Sequence, residues 1–314
     1  MVYILCSSTD AYCPPCCAML ASLFYNNSDC DFHVYWLTMG LNEQSKVNIS
    51  TLSEQFKCPI EVLTVQDQMI DQLPITNKRS LPIETYLRFF GLSLIPQHVN
   101  KILNFDCDMI VRSSIADLWN IDLKNNILGM VENIPSQNGE IGNRLGYPAW
   151  KYGYYNAGMV LINLKLWREN NIQERLFQWI DLNKDKMRLY EQDAINALLY
   201  GKIQRLSIKW NVCPECFHSP QNLIESYRLE LPSYISNPPI VHYVGSIKPW
   251  HLECKHPFAT EYDKYLAMTP YKEMRKTPFF KSYWEKRKFY LKKEIIKWLS
   301  LIHISEPTRR RGIS

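Results

Sequence analysis

Lys101-Ile102-Leu103-Asn104-Phe105-Asp106-Cys107-Asp108 joins a short apolar run to two carboxylates. The run predicts a β-strand over 101–105, bounded by polar residues. Because successive strand side chains alternate between faces, Asp106 and Asp108 project to one side and Cys107 to the other. Two adjacent carboxylates are costly unless a cation lies between them, so the pattern indicates a divalent metal site. Taken alone the pattern is weak, since acids at strand ends also cap helices and anchor loops.

Short apolar runs alternate with helix-like segments on both sides of this stretch. The predicted strands are 3–5, 32–37, 60–65, 101–105, 127–131, 159–164 and 240–243. The predicted helices are 14–27, 43–56, 82–94 and 165–182, with Pro14 and Pro82 at helix starts and Ser113 as the cap of a short helix at 114–119. This alternation indicates an α/β fold with a mainly parallel sheet, which binds ligands beyond the carboxyl ends of its strands.

The bulk composition is that of a globular protein. The chain has 314 residues, of which 46% are apolar and 21% charged. It contains no stretch of about 18 uncharged apolar residues, so we expect no spanning helix. Residues 1–5 lack a basic region followed by a long apolar one, so we see no secretory signal and expect a cytoplasmic protein.

Ten cysteines include two C-x-x-C pairs, Cys13/Cys16 and Cys213/Cys216. They could form a four-thiolate zinc site, or the first pair could be redox-active. The alternative is reduced cysteines at helix starts. We favour that alternative, because zinc-binding pairs normally lie about 15–20 residues apart and these two are separated by most of the chain.

The net charge of +5 is concentrated at the carboxyl end. Residues 261–314 contain fourteen Lys and Arg against six Asp and Glu, a balance of +8, which leaves −3 for residues 1–260. Such a basic tail indicates contact with an anionic surface, whereas a nucleic-acid groove along the body is not indicated.

An aromatic and basic helix is predicted within residues 272–298. Trp284, Leu291, Ile295 and Trp298 fall on one helical face, which suits a helix lying in a membrane interface with its cations near anionic headgroups. The alternative is a helix packed on the domain. Residues 299–314 resemble a translated sequencing-library adapter, so we expect them to be non-native.

A second polar motif runs from His242 to Trp250, after a predicted strand. A histidine at a strand end adds an imidazole ligand to an oxygen-rich site and shifts its preference from Mg²⁺ toward Mn²⁺. Gly245 permits close approach of the backbone to a ligand, and Lys248 supplies a point charge suited to phosphate. The alternative is a core histidine beside a Lys-Pro-Trp turn.

Two further motifs contain polar residues beside small or apolar ones. Asn156-Ala157-Gly158 precedes the predicted strand 159–164 and leaves room for a bound sugar. Gln192-Asp193 opens an apolar helix, where acids also suit an ordinary first helical turn.

In this order, the four motifs resemble those of glycosyltransferase family 8, which includes bacterial lipopolysaccharide galactosyl- and glucosyltransferases and the glycogenins. The resemblance covers residues 2–255. It implies a GT-A nucleotide-sugar-binding domain over 1–260. The charge and aromatic bias described above place the basic aromatic helical tail after it, over 261–298. The implied activity is retaining transfer of galactose or glucose from a UDP-sugar to a glycan or glycolipid acceptor, in lipopolysaccharide or surface polysaccharide synthesis.

The resemblance also implies residue roles. Asp106, Asp108 and His242 would bind Mn²⁺, which bridges the donor diphosphate. The implied donor contacts are Asp10, Tyr12, Arg88, Asp106, Cys107, Asp108, Asn156, Ala157, Gln192, Gly245 and Lys248. The first loop departs from the family, because it keeps one acid, Asp10, where two are usual. By position alone, Glu132 is a candidate for the acidic sugar-binding residue.

Gln192 is expected beside the anomeric carbon, where retention requires a covalent intermediate or front-face attack. Since an amide is a poor nucleophile, we favour front-face attack, with Asp193 or Glu191 as the less favoured covalent nucleophile. Two other functions stay open. A sugar nucleotidyltransferase would need a Gly-rich, lysine-containing loop that residues 6–16 lack, and a non-catalytic nucleotide-sugar-binding protein could keep the same fold.

Overall fold

The computed structural model describes residues 1–65, 84–133, 138–282, 284–289 and 291–292. A seven-stranded sheet, ordered β3-β2-β1-β4-β7-β6-β8, forms the centre of the fold. Its strands are Val2–Ser7 (β1), Phe32–Thr38 (β2), Ile60–Thr64 (β3), Lys101–Phe105 (β4), Leu128–Glu132 (β6), Tyr155–Asn163 (β7) and Ile203–Arg205 (β8). A smaller antiparallel sheet pairs Met109–Val111 (β5) with Ile240–His242 (β9).

Within the seven-stranded sheet, β7 is antiparallel to both of its neighbours, β4 and β6, and every other pair is parallel. The predicted α/β fold with a mainly parallel sheet is therefore confirmed. The reversed strand carries Asn156, Ala157 and Gly158 at its amino-terminal end, and this end of β7 lies beside the carboxyl end of β4.

Helices cover both faces of the sheet. They are Cys13–Tyr25 (α1), Glu43–Phe56 (α2), Glu84–Phe90 (α3), Ala116–Trp119 (α4), Asn138–Leu145 (α5), Ala149–Tyr152 (α6), Leu164–Glu169 (α7), Ile172–Asn183 (α8), Tyr190–Leu199 (α9), Glu215–His218 (α10), Glu225–Glu230 (α11) and Ala259–Leu266 (α12). Alternation along β1 shows the layering, since Ile4 and Cys6 pack in the cluster that contains α1, whereas Leu5 packs in the cluster that contains α3 and α9. The core is thus a sheet between two helical layers.

The helix predicted over 43–56 is confirmed as α2. Asn42 caps α2, its Oδ1 accepting from the backbone N–H of Ser45 at 2.8 Å. Two predictions were wrong. The helix predicted over 165–182 is broken at Asn170–Asn171, where Asn171 has φ +50°. Ser113 does not cap α4, whose N-cap is Ile115. Pro82 lies outside the described residues, and β8 was not predicted.

The cysteines form no disulfide. All ten are free, and Cys13 and Cys16 are buried in the first turn of α1. In the part of the chain that the structure describes, the one group of three or more His, Cys, Asp or Glu side chains close enough to share a metal is Asp106, Asp108 and His242. The four-thiolate zinc alternative is therefore not supported.

The chain beyond the second sheet continues to pack on the body. Helix α12 spans residue 260 and buries Tyr262 and Tyr265 against α1. Further along, Thr277 pairs with the backbone of Trp250 and Leu252.

Residues 284–289 and 291–292 are helical and expose Trp284 and Leu291. Ile295, Trp298 and 299–314 lie outside the described residues. Among the described helices, none has the length and apolar character that crossing a bilayer requires.

Candidate metal centre and adjoining cleft

The metal-type cluster forms where β4 ends and the second sheet begins. Asp106 and Asp108 lie in the connection between β4 and β5, and His242 is the last residue of β9. The β5–β9 pairing sets His242 opposite Met109. The backbone N–H of Tyr243 donates to the backbone carbonyl of Asp108 at 2.9 Å. This pairing brings His242 to two aspartates that lie more than 130 positions earlier in the chain.

The geometry of the three side chains suits a cation. His242 Nε2 lies 3.2 Å from Asp108 Oδ1 and 3.9 Å from Asp106 Oδ2, and the three ligand atoms lie within 4.8 Å of one another. An ion about 2.0–2.6 Å from each ligand fits that spacing. The residues predicted as metal ligands are therefore adjacent, and their donor set of two carboxylates and one imidazole suits a divalent metal.

Each aspartate divides its two oxygens between a basic side chain and the histidine. Asp106 Oδ1 pairs with Arg88 at 2.5 Å, and Asp108 Oδ2 accepts from the Lys248 ammonium. Asp106 Oδ2 and Asp108 Oδ1 are the oxygens nearer His242. The cluster thus keeps one oxygen of each carboxylate on the side where a cation would lie.

These contacts also set the ionisation of the aspartates. Burial opposes ionisation of Asp108, but Lys248 and His242 outweigh it, so the pKa of Asp108 is lowered. Burial raises the pKa of Asp106, with Arg88 opposing that effect. A bound cation would favour the ionised form of both.

Asn211, which was not predicted as a site residue, contacts the second ring nitrogen of His242. His242 Nδ1 lies 2.8 Å from Oδ1 of Asn211, and Nδ2 of Asn211 donates to Oδ1 of Asn156 at 2.8 Å. Asn211 reaches this position because its neighbour Val212 forms an isolated bridge with Val241 of β9. No local pattern in the sequence marks that bridge.

Gly158 lies directly against the imidazole of His242. A Cβ at Gly158 would lie 2.2 Å from Cε1 of His242 and 2.7 Å from its Nδ1. Only glycine therefore allows β7 to pack against the histidine ring. The small residue predicted to leave room for a sugar makes room for the histidine.

Gln192, at the start of α9, is held by both ends of its amide. Its Oε1 accepts from the backbone N–H of Ala157 at 3.0 Å, and its Nε2 donates to the Tyr154 hydroxyl at 3.0 Å. Arg88 donates to the carbonyl of Ala157 at 2.6 Å. Four of the predicted donor-binding residues, Asn156, Ala157, Gln192 and Arg88, are thus adjacent or directly bonded.

Asp193 does not fit its predicted catalytic role. Its carboxylate is fully buried and accepts from Tyr154 and Arg144, each at 2.7 Å, and from the backbone N–H groups of Arg188 and Leu189 at 2.7 and 2.9 Å. Burial opposes its ionisation, yet the hydrogen bonds from Arg144 and the backbone lower the pKa of Asp193. A carboxylate with both oxygens satisfied anchors the start of α9 and is unsuited to nucleophilic attack.

Glu191 is also buried, 3.6 Å from Nε of Arg88. Burial raises its pKa to about 8, with Arg88 opposing that effect. A carboxyl group that is protonated at neutral pH is a poor nucleophile, so the less favoured covalent mechanism gains no support here either.

The other predicted donor contacts lie in the loops that follow β1, β4 and β9. Tyr12 is 41% exposed and meets Trp250 edge to face, with ring centroids 6.0 Å apart. Asp10 accepts from the backbone N–H of Asn42 at 3.0 Å. Gly245 has φ +106°, and its missing Cβ would have no neighbour within 4 Å, so the backbone there is open to a ligand. Cys107 points away as expected, its thiol donating to the Ser7 carbonyl at 3.1 Å.

A cleft of about 240 Å³ adjoins the metal cluster. Its lining includes Glu132, Asn156, Gln192, Asn211, Cys213 and Cys216. Glu132 is buried and pairs with Nε of Arg205 at 2.7 Å. The acid singled out by position therefore lies at the cleft, already neutralised by an arginine.

Comparison with known proteins agrees with this geometry. The model of glycosyl transferase family 8 matches residues 3–254. A glycosyltransferase of Haemophilus influenzae is 29% identical over 79% of this chain and 73% of its own length. A lipopolysaccharide 1,2-glucosyltransferase of Escherichia coli is 24% identical over 81% of this chain and 74% of its own. The crystal structure of the galactosyltransferase LgtC with donor and acceptor sugar analogues superposes with a TM-score of 0.76 at 26% identity, covering 86% of this chain and 96% of LgtC.

Proposed function

Because the chain belongs to glycosyltransferase family 8, we propose that it is a retaining hexosyltransferase that moves galactose or glucose from a UDP-sugar to a glycan or glycolipid acceptor. The observation that carries this proposal is the meeting of Asp106, Asp108 and His242 beside Lys248 and the cleft. The names of the similar proteins, a lipopolysaccharide glucosyltransferase and a galactosyltransferase, favour a role in lipopolysaccharide or surface polysaccharide synthesis.

The proposed cation is Mn²⁺, held by Asp106 Oδ2, Asp108 Oδ1 and His242 Nε2. Mixed carboxylate and imidazole ligands favour Mn²⁺ over Mg²⁺. When bound, the metal supplies Lewis-acid stabilisation of the diphosphate as the glycosidic bond breaks. Lys248 adds a positive charge at the same place, and the open backbone at Gly245 lets phosphate oxygens approach. Asp10 and Tyr12 are proposed to contact the uridine.

The hexose is proposed to lie in the cleft, against Asn156, Ala157 and Gln192. Arg88 supports this wall, since it bonds both Asp106 and the carbonyl of Ala157. Gln192 is held with its amide fixed by Ala157 and Tyr154, which suits stabilising positive charge at the anomeric carbon and not attacking it. We therefore propose front-face attack, with the leaving phosphate oxygen accepting the acceptor's proton.

The proposed membrane contact uses the carboxyl-terminal tail of the chain. Trp284 and Leu291 are exposed on the described helical segments, next to Lys286, Arg287 and Lys292. Exposed aromatic and aliphatic side chains among cations favour peripheral binding to an anionic lipid surface. We propose that this tail holds the enzyme on the inner face of the cell membrane.

A direct test measures UDP release from a panel of UDP-sugars with Mn²⁺, with Mg²⁺ and with chelator. We expect release with one UDP-hexose and Mn²⁺, and a loss of at least about 10²-fold in Asp108→Ala. The matched control is Asp117→Ala, which removes an exposed acid of α4 and should leave turnover unchanged. Near-normal turnover in Asp108→Ala would refute the metal assignment. Cleavage of a nucleoside triphosphate in place of a UDP-sugar would favour the nucleotidyltransferase alternative.

A further inference from the structure

A chain of three hydrogen bonds connects the backbone of β7 to the imidazole of His242. The backbone N–H of Gly158 donates to Oδ1 of Asn156 at 2.9 Å. Nδ2 of Asn211 donates to the same oxygen at 2.8 Å, and Oδ1 of Asn211 lies 2.8 Å from Nδ1 of His242. Asn156, Asn211 and His242 are all at least nine-tenths buried, so these contacts are largely shielded from water.

The backbone N–H fixes the direction of every bond in this chain. Gly158 can only donate, so the atom of Asn156 that it meets must be the amide oxygen. The Asn211 group that faces this oxygen must then be the NH₂, which leaves the Asn211 oxygen facing His242. An amide oxygen only accepts, so Nδ1 of His242 must carry a proton. A thiol contact agrees with this orientation, since Cys213 Sγ lies 3.4 Å from the same Asn211 oxygen.

We propose that Asn211 is a positioning residue for the metal centre: it fixes the tautomer and ring orientation of His242, so that Nε2 presents its lone pair between Asp106 and Asp108. Metal-binding histidines usually donate their second ring N–H to an oxygen acceptor, which orients the ring and raises its basicity. Asn211 supplies that acceptor from outside the four family motifs. The inference rests on the proposed role of His242 as a metal ligand.

The relay also joins the metal centre to the wall proposed for the sugar. Asn211 donates to Asn156, and both residues line the cleft. Removing the Asn211 side chain therefore breaks two contacts at once, the acceptor for His242 and the donor for Asn156. An aspartate at position 211 would restore only the first, which makes the two contributions separable.

The test measures Mn²⁺ affinity from the free-ion electron paramagnetic resonance signal, and the nitrogen modulation of bound Mn²⁺ by electron spin echo. We expect Asn211→Ala to bind Mn²⁺ about 10- to 100-fold more weakly and to lose the modulation from a bound imidazole. Asn211→Asp should retain the modulation and most of the affinity. The matched control is Asn27→Ala, because Asn27 is another buried asparagine, whose side chain bonds the backbone of Leu23 and Ile115. Asn27→Ala should have a lower free energy of unfolding and an unchanged affinity for Mn²⁺.

The outcomes separate this inference from the proposed function. If the wild-type enzyme binds Mn²⁺ without nitrogen modulation, both His242 as a ligand and the role of Asn211 are refuted. If wild type shows the modulation and Asn211→Ala keeps full affinity and modulation, only the role of Asn211 is refuted. Should Asn211→Ala fail to fold, Asn211→Asp decides the question, since loss of imidazole modulation in that variant overturns the inference.

Discussion

Replacing Gly158 with alanine should displace the imidazole of His242, the proposed metal ligand. The added Cβ would start 2.2 Å from Cε1 of His242, whereas ordinary van der Waals contact begins at 3.4 Å. The ring must therefore move by the difference, about 1.2 Å, or β7 must move away by the same amount. Metal–ligand distances tolerate shifts of only about 0.2 Å, so Nε2 would no longer reach the ion.

The expected cost to metal binding is large, and the expected cost to folding is moderate. Loss of ring orientation should weaken Mn²⁺ binding by at least about 10-fold. Overpacking a buried site by one methyl group typically costs about 1–3 kcal/mol of unfolding free energy. Alanine is acceptable to the strand itself, since no positive φ is recorded at Gly158.

The assay compares Mn²⁺ affinity, UDP release and thermal unfolding for Gly158→Ala and a matched control. Gly129→Ala suits this purpose, because Gly129 lies in the neighbouring strand β6 and its added Cβ would lie 2.8 Å from a side-chain carbon of Leu123. The control should lose similar stability and keep its Mn²⁺ affinity. Wild-type affinity and turnover in Gly158→Ala would refute the close packing of His242 on β7.

Three other outcomes are expected. Gln192→Ala should slow transfer by roughly 10²-fold. It should leave UDP affinity intact, because the Gln192 amide bonds Ala157 and Tyr154. A loss of UDP affinity, measured by isothermal titration, would contradict this role. Burial raises the pKa of Glu191 from 4.5 to about 8, so the folded state retains a proton that the unfolded chain releases. The stabilisation from this group is complete below pH 4.5 and is lost as pH rises through 8. The unfolding temperature of Glu191→Gln should therefore rise relative to that of the wild type as pH increases from about 6 to about 9. A difference in unfolding temperature that stays constant across that range would argue against a raised pKa. Removing residues 284–314, which spares the packed Thr277 contacts, should release the enzyme from vesicles containing anionic lipid; equal sedimentation with vesicles would exclude the tail as the anchor.

Local sequence patterns were sufficient for most elements of the fold, and the motif resemblance identified the three residues of the metal-type cluster. The run before Asp106 predicts β4, and the period of two along it predicts that Asp106 and Asp108 share a side. The apolar spacing over 43–56 predicts α2, and in the structure Asn42 caps its start through a contact that lies within four residues. Such features depend on neighbouring residues in the chain, so they can be recognised from the sequence before the fold is known.

Other predictions failed because a distant contact overrides the local pattern. Glutamine and aspartate at positions 192 and 193 look equivalent as polar residues opening a helix. In the fold, Arg144 and Tyr154 take up the whole Asp193 carboxylate, whereas Gln192 lines the cleft. The roles of the two residues separate only when α5 and β7 pack against α9.

The sequence by itself determined the fold class and the three residues of the metal-type cluster, because hydrophobic periodicity and short motifs are properties of neighbouring residues. Tertiary structure alone decided that Asn211 orients His242, that Gly158 gives the imidazole its space, and that Asp193 is an anchor. The side-chain contacts of Asn211 with His242 and of Arg144 and Tyr154 with Asp193 join residues at least 31 positions apart. The path of the chain through the sheet brings such residues together, and no local pattern in the sequence predicts it.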